Sequence, residues 1–405
     1  MSRVIIIGAG ASGLASAICI ARNNNEVIVL ERNDKCGKKL LLTGNGKCNY
    51  WNEDQNLSHY HSTNEDILKK IITLENLNKV LPFFDSIGIV PKIKNGYYYP
   101  YSNQSTTIKE ALYKEALNLN VKFSFNTLVK DIKPIDNKFL VITDTTSIEA
   151  DKVVIGTGSK AFPKTGSDGL FYKILEDLGH KIIKPLPALV QLIGKSNYFK
   201  EWHGIRTDVK VKLYENNKFI KEEEGEIQLT DYGISGICAM QLSGRISRGL
   251  DSKNKEMVSI NFFPQFNDID KFLSWLEERN NKLKNRTTKE LLDGFLNYKL
   301  TNLLMKESKV DDIPWNKLSI DKKKSLATNI ISFNLDIIGT NSFDKAQVVS
   351  GGVALSDINP KTMESLKVKG LYIVGELLDI DGDCGGYNLG TSWLTGIIVG
   401  DNLND

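Results

Sequence analysis

Apolar positions open the chain as an unbroken block, VIII at 4–7, and then recur as LASAICIA and EVIVL, with glycines in the first gap and NNN in the second. A short apolar block without alternation is a strand buried on both faces, whereas the spacing in the middle stretch is helical. The segment therefore reads strand, turn, helix, strand, a βαβ unit that sets two parallel strands side by side. Residues 4–21 carry no charge, and a run of about 18 such residues can mark a membrane span. Gly8, Gly10 and Gly13 interrupt it, and the polar turn leads into a second strand that ends in Glu31, so no span is expected.

Further along, 67–81 and 105–119 have helical periodicity, the second with Ile108, Ala111, Leu112, Ala116 and Leu119 on one face. Strands are expected at 121–125, 139–143 and 152–156. From about Leu189 the texture changes to short alternating runs such as DVKVKLYENNKFIKEEEGEIQLT, the pattern of antiparallel strands. Residues 268–333 turn helical again, and GLYIVGE near the C-terminus returns to the buried-strand character of the first unit. The expected organisation is a nucleotide domain from 1–190 and 346–405, a β-rich insert from 191–267 and 334–345, and a helical subdomain at 268–333.

The glycines give this pattern its chemistry. Gly8 permits the tight turn, Gly10 lets backbone approach a pyrophosphate, and Gly13 lets helix pack on strand, while the helix N-terminus offers N–H groups to phosphate. Glu31, ending the next strand, is placed for the adenosine ribose hydroxyls. FAD and NAD share this fingerprint. The segments GKKLLLTGNGKCN at 37–49 and GELLDIDGDCGGYN at 375–388 favour FAD, because the longer cofactor must be held beyond its pyrophosphate.

With GAGASG, GTGSKAFPKTGSDG, LTDYGISG, SGGV and INPKTMES, these segments resemble, in order along nearly the whole chain, the bacterial FAD-binding flavoproteins that include aminoacetone oxidase and the bile-acid reductase BaiN. The resemblance implies an α/β fold: a Rossmann-like FAD-binding domain of the glutathione-reductase type, an inserted β-barrel-like domain and a small helical subdomain, with FAD held non-covalently. It also implies that Gly8, Gly10, Ala11, Ser12 and Gly13 cradle the pyrophosphate, with Glu31 and Arg32 around the ribose. Lys38, Lys39, Thr43, Gly44 and Asn49 would line the flavin and phosphate side. Val129 would meet adenine through its backbone, with Thr157 and Gly158 in the turn beside it. Gly375 and Glu376 would bind the ribityl chain, and Gly386, Tyr387, Asn388 and Leu389 would approach the isoalloxazine. Two departures stand out. Where relatives run NLQWAWSSG this chain has NLGTSWLTG, changing Gly390, Thr391, Ser392 and Leu394, and Trp51 stands where a threonine is usual. The small residues are expected to open room over the flavin.

Charge and cysteine content narrow the function. Lys+Arg 52 against Asp+Glu 49 leaves a net charge of +3, too weak a field to hold nucleic acid or an anionic membrane, and neither is expected as a partner. Five scattered cysteines form neither a disulfide framework nor a metal site and fit a reducing cytoplasm. Cys48 and Cys384 sit in the two flavin segments, though isolated cysteines are more often small buried groups. His203 is a weaker acid–base candidate than Asp231 and Tyr232, whose loop in the insert is expected to overhang the flavin. Tyr97, Tyr98, Tyr99 and Tyr101 read as an aromatic wall or a strand edge, and KLKNR and DKKK as solvated faces.

The expected activity is that of an FAD-dependent oxidoreductase acting on a small molecule. Reduction of an activated C=C bond in a steroid-like enone, with NADH or NADPH as transient donor, is favoured over oxidation of a small amine by oxygen. A tRNA-modifying flavoprotein and a non-catalytic FAD-binding protein are the alternatives from other classes. Composition and pattern are silent on oligomeric state.

Overall fold

The computed structural model describes residues 1–283 and 286–403. Its contacts divide the chain into two units, Met1–Leu186 with Phe343–Asp405, and Pro187–Ser342.

The first unit is built on a five-stranded parallel sheet in the order Leu371–Ile373, Lys152–Ile155, Arg3–Ile7, Glu26–Leu30, Lys122–Ser124. Val4, Ile5 and Ile6 are fully buried, as a central parallel strand requires. The strand from the C-terminal part of the chain thus joins the sheet at one edge. Helix Ala11–Arg22 packs against the closing helix Tyr387–Asn402 at unusually close range. A methyl group at Gly396 would lie 2.7 Å from the Ser12 carbonyl oxygen, and one at Gly400 would lie 2.0 Å from Cys19 Cβ. Only glycine at these positions lets the two backbones approach so closely.

The periodic stretch 67–81 is not one helix. It forms Glu65–Ile71, Leu74–Leu77 and the start of Val80–Ser86. The break falls where Thr73 accepts a hydrogen bond from the Asn76 N–H, so a new N-cap competes with continuation of the helix. Helix Ser105–Asn118 buries Ile108, Leu112 and Ala116, while Ala111 and Leu119 are half-buried at its margin.

The second unit contains a closed six-stranded antiparallel barrel, ordered Leu192–Gly194, Gly233–Ser235, Lys218–Leu229, Arg206–Glu215, Glu256–Asn261, Phe333–Thr340. Closure leaves no free sheet edge. Helices Ile269–Lys282, Thr288–Leu292, Tyr298–Glu307 and Ile320–Ile331 share a hydrophobic cluster with the barrel through Phe272, Leu276, Trp315 and Leu326. The stretch DKKK is only partly a solvated face. Lys323 pairs with Glu277 at 2.6 Å and lies over the Trp315 ring, because its long stem covers apolar surface. Within KLKNR, Lys284 and Asn285 lie outside the described residues. No described helix is long and apolar enough to cross a membrane.

Candidate functional site

The fingerprint glycines have different jobs. At Gly8, with φ of +98°, a methyl group would lie 2.6 Å from the Gly156 carbonyl oxygen; at Gly13 it would lie 2.0 Å from the Gly8 oxygen. Both are demanded by the fold itself. Gly10 caps the helix with φ of −84°, a conformation open to any residue, and the nearest heavy atom to an added methyl is 3.8 Å away. Nothing inside the protein requires glycine there. The open space leaves room for a phosphate to approach the backbone at the helix N-terminus. Ala11 opens the helix, and the Ser12 side chain is walled in: methyl groups at Gly156 and Gly375 would approach its hydroxyl to 3.1 and 2.5 Å.

Glu31, expected at the adenosine ribose, is buried. One carboxylate oxygen accepts from the Ala9 N–H at 2.8 Å, and the other accepts from the Asn33 N–H and side-chain amide. A carboxylate has about four acceptor sites, so capacity remains for ribose hydroxyls. Arg32 turns away to Asp168 at 2.5 Å. Burial pushes the Asp168 carboxyl up, but hydrogen bonds from Arg32 and the Leu170 N–H outweigh this and hold it below its ordinary value. The Thr127 N–H bonds to the Glu31 carbonyl at 2.9 Å, which brings the buried Val129 close along the chain to Glu31.

Several buried polar atoms in this unit have no protein partner. Asn49 Oδ1, Thr157 Oγ1 and the Tyr172 hydroxyl are all buried and make no hydrogen bond. Each costs on the order of 1–3 kcal/mol unless something satisfies it. A polar, extended cofactor laid along the turn fits that need, so the residues present fit FAD. Around them, Lys39 pairs with Glu376 at 2.5 Å, and the same Glu376 oxygen accepts from Ser159. Lys38 reaches Asn33 and Asp34 instead. The Thr43 hydroxyl returns to the Leu40 carbonyl as the backbone kinks through Gly44 and Asn45, both with positive φ. At Gly158, φ of +78° brings the Ser167 hydroxyl within 2.6 Å of where a methyl would sit, and the Gly375 N–H is held by Thr395.

In the closing loop Gly386 has φ of +100° and caps the closing helix, whose first-turn N–H groups lack intrahelical partners. Tyr387 is buried, and Leu389 is half-buried. The Asn388 side chain bonds both the N–H and the carbonyl of Gly382 at 2.8 Å, fixing the loop that precedes the helix. The room expected at Gly390 is already filled. A methyl group at Gly390 would lie 3.1 Å from the Trp51 ring, so the large residue fills what the small one vacates. Thr391 and Ser392 are buried, and their hydroxyls return to carbonyls of their own helix. The two departures are one exchange of volume.

The sequence reading missed a histidine pair. His59 stacks on Tyr387 at 4.5 Å, with one ring nitrogen 3.0 Å from buried Asp383 and the other 3.1 Å from Asp54, while His61 reaches Asp383 at 3.1 Å. The H-x-H spacing was the available signal, although His59 ends the short 3-10 helix Leu57–His59 and only His61 lies on the following strand Tyr60–His61.

Cys48 is fully buried and its thiol is pushed up to about 12 by burial; burial raises Cys384 as well. Neither is poised as a thiolate. In the barrel unit, Asp231 is exposed and Tyr232 half-buried in the turn between two barrel strands, with the Tyr232 carbonyl accepting from the Gly194 N–H. His203 is exposed and ends a short helix.

A glycine turn opening a helix on a parallel sheet, with buried polar atoms left open near it, suits the FAD-dependent oxidoreductases, the class to which this protein belongs. The chain belongs to the HI0933-like family, whose Rossmann-domain model matches residues 2–402. It is similar to a 3-dehydro-bile acid delta(4,6)-reductase of Clostridium scindens, 36% identical with 99% of this chain and 98% of that protein covered. A ribosomal RNA dihydrouridine synthase of Escherichia coli is 26% identical, covering 96% and 94%. Among solved structures, the 3-ketosteroid delta1-dehydrogenase of Sterolibacterium denitrificans aligns with a TM-score of 0.50 at 11% identity over 99% of both chains, a likeness of fold alone.

Proposed function

We propose that the protein is an NAD(P)H-dependent reductase that adds hydride and a proton across a C=C bond conjugated to a carbonyl, in a steroid-like enone. The observation that carries this reading is the full-length similarity to a delta(4,6)-reductase. The more distant dihydrouridine synthases support the same net chemistry, since forming dihydrouridine saturates a ring C=C bond beside a carbonyl. Bound FAD supplies the two-electron redox chemistry.

This chain's residues do the rest. Gly8, Gly10, Ala11, Ser12 and Gly13 receive the pyrophosphate, Glu31 the ribose, and Asn49 and Thr157 give their unsatisfied oxygens to the cofactor. The N-terminus of helix Tyr387–Asn402 favours negative charge in front of it by about 0.3–2 kcal/mol. Tyr232 is the proposed proton donor, with Asp231 beside it. No second G-x-G-x-x-G exists to hold a nicotinamide nucleotide, so the donor binds transiently and ping-pong kinetics follow.

The test is anaerobic reduction of the holoenzyme with NADH or NADPH, followed by mixing with an enone or with oxygen. Reoxidation should be much faster with the enone, and Tyr232→Phe should slow that step while leaving flavin reduction intact. Turnover of a small amine with peroxide release and no enone reduction would overturn the reading. The 26–28% identity to dihydrouridine synthases over nearly the whole chain favours one second reading, a uridine in ribosomal RNA as substrate. Loss of dihydrouridine from the rRNA of cells lacking the protein would establish it.

A further inference from the structure

Four tyrosines lie at 97, 98, 99 and 101, and the functional reading above uses none of them. Strand Tyr97–Pro100 is the centre of a small antiparallel sheet, flanked by Trp51–Asn52 and Pro91–Lys94. Because side chains alternate, the register sorts this sheet into two faces. Ile93, Tyr98 and Trp51 fall on one. Tyr98 and Trp51 there belong to the core, with Tyr98 edge-on to Tyr50. On the other face fall Lys92 opposite Tyr99, Lys94 opposite Tyr97, and Asn52 beside Tyr97.

This second face touches both flavin segments. The Tyr97 ring lies against Gly385, where a methyl group would come within 2.9 Å of it, and Asn52 donates to the Gly385 carbonyl at 2.9 Å. The Tyr99 ring lies 3.9 Å from the corresponding position at Gly44. Tyr97 is 37% exposed and Tyr99 half-buried, so their rings border the cofactor loops and still present surface. Lys92 and Lys94 are exposed on the edge strand, and neither has an acidic partner among the described residues. The face therefore offers aromatic surface, adjoins both flavin loops and carries two uncompensated positive charges at its edge.

Resting on the C=C reductase reading, the geometry points to this face as the substrate platform, with Tyr97 and Tyr99 receiving a flat ring system and Lys92 and Lys94 an anionic group on it. The substrate class is thereby narrowed to ring enones that carry a carboxylate or phosphate. The aromatic rings supply apolar area and ring contact. The lysines act as point charges whose contribution falls with ionic strength.

Binding is measured on the oxidised holoenzyme without electron donor, through the change in flavin absorbance. The probes are 3-oxochol-4-en-24-oate, neutral 4-androstene-3,17-dione and uridine 5′-phosphate. An exposed lysine contributes on the order of 0.2–1 kcal/mol to an ion pair, so Lys92→Ala/Lys94→Ala should weaken an anionic probe about two- to thirtyfold. The gap between carboxylate and neutral probes should narrow by the same factor, and raising salt should mimic the loss. Tyr97→Ala should weaken the ring probes and Tyr97→Phe should restore them. Lys130→Ala, which removes an exposed charge from another strand, controls for net charge. A preference for uridine 5′-phosphate over the steroid carboxylate would identify the anion as phosphate, and the reverse as carboxylate.

Equal affinity of charged and neutral probes in wild type, or indifference of the carboxylate probe to the lysine double variant, overturns the platform. The reductase reading stands or falls separately on enone turnover.

Discussion

Gly10 and Gly13 differ by three positions in one motif, yet only Gly13 is required by the fold around it, and a pair of alanine variants tests whether Gly10 serves the cofactor instead. At Gly10 the backbone is in an ordinary region and a new methyl group meets nothing closer than 3.8 Å. Alanine is a poorer N-cap than glycine by up to about 1 kcal/mol, but it reduces the freedom of the unfolded chain by about 0.4–1 kcal/mol, so the terms nearly cancel. At Gly13 the same methyl group lies 2.0 Å from the Gly8 oxygen, and only a backbone shift relieves it. Overpacking of that kind costs about 1–3 kcal/mol or more. For FAD the order reverses. A methyl group at Gly10 that denies the pyrophosphate one charged hydrogen bond loses about 1.5–3 kcal/mol, a ten- to hundredfold weaker Kd. Apoprotein stability in urea and FAD affinity by fluorescence quenching measure the two effects. If Gly10→Ala binds FAD as tightly as wild type, or destabilises the apoprotein as much as Gly13→Ala does, the division of roles is wrong.

Other regions give further expectations. In the barrel, Glu256 is buried opposite Glu215; burial first, then the Glu215 charge, raises its carboxyl from 4.5 to about 7. The folded state then binds the extra proton between these values, so the contribution of this carboxyl to stability is fully present below pH 4.5 and is lost as pH rises from there to about 7, on the order of 3 kcal/mol. Glu256→Gln should flatten that portion of a Tm-against-pH curve, and an unchanged slope would refute it. Trp51→Ala should cost about 3–5 kcal/mol of stability. Gly390→Gln alone should be destabilising, while combination with Trp51→Thr should recover about 0.5–3 kcal/mol in a double-mutant cycle; strict additivity would contradict the exchange of volume. His59→Ala removes the ring stacked on Tyr387 and one donor from Asp383, so FAD occupancy should drop while His59→Gln retains part of it. Equal occupancy in wild type and His59→Ala would show that the closing loop holds without the histidine.

What the sequence determined by itself was local. The VIII block, the glycine turn, the helix and EVIVL ending in Glu31 are short-range patterns whose conformations follow from adjacent residues, so the βαβ unit and its nucleotide chemistry were legible. The alternating runs of the insert likewise announced antiparallel strands, though nothing local said that six of them close into a barrel. Where a cap competed with periodicity, at Thr73, even local reading lost a helix. Tertiary structure decided everything that depends on residues meeting across the chain. Lys39 meets Glu376, His59 and His61 meet Asp383, and Trp51 fills the space beside Gly390, pairs separated by more than 300 positions. The physical reason is that these contacts exist only after the strand Leu371–Ile373 has joined the parallel sheet and the closing helix has packed on helix Ala11–Arg22. Gly10 shows the same division at one position: its motif and the backbone approach it allows were visible in sequence, but that the fold itself leaves the space around it empty, unlike that around Gly8 and Gly13, came only from the structure.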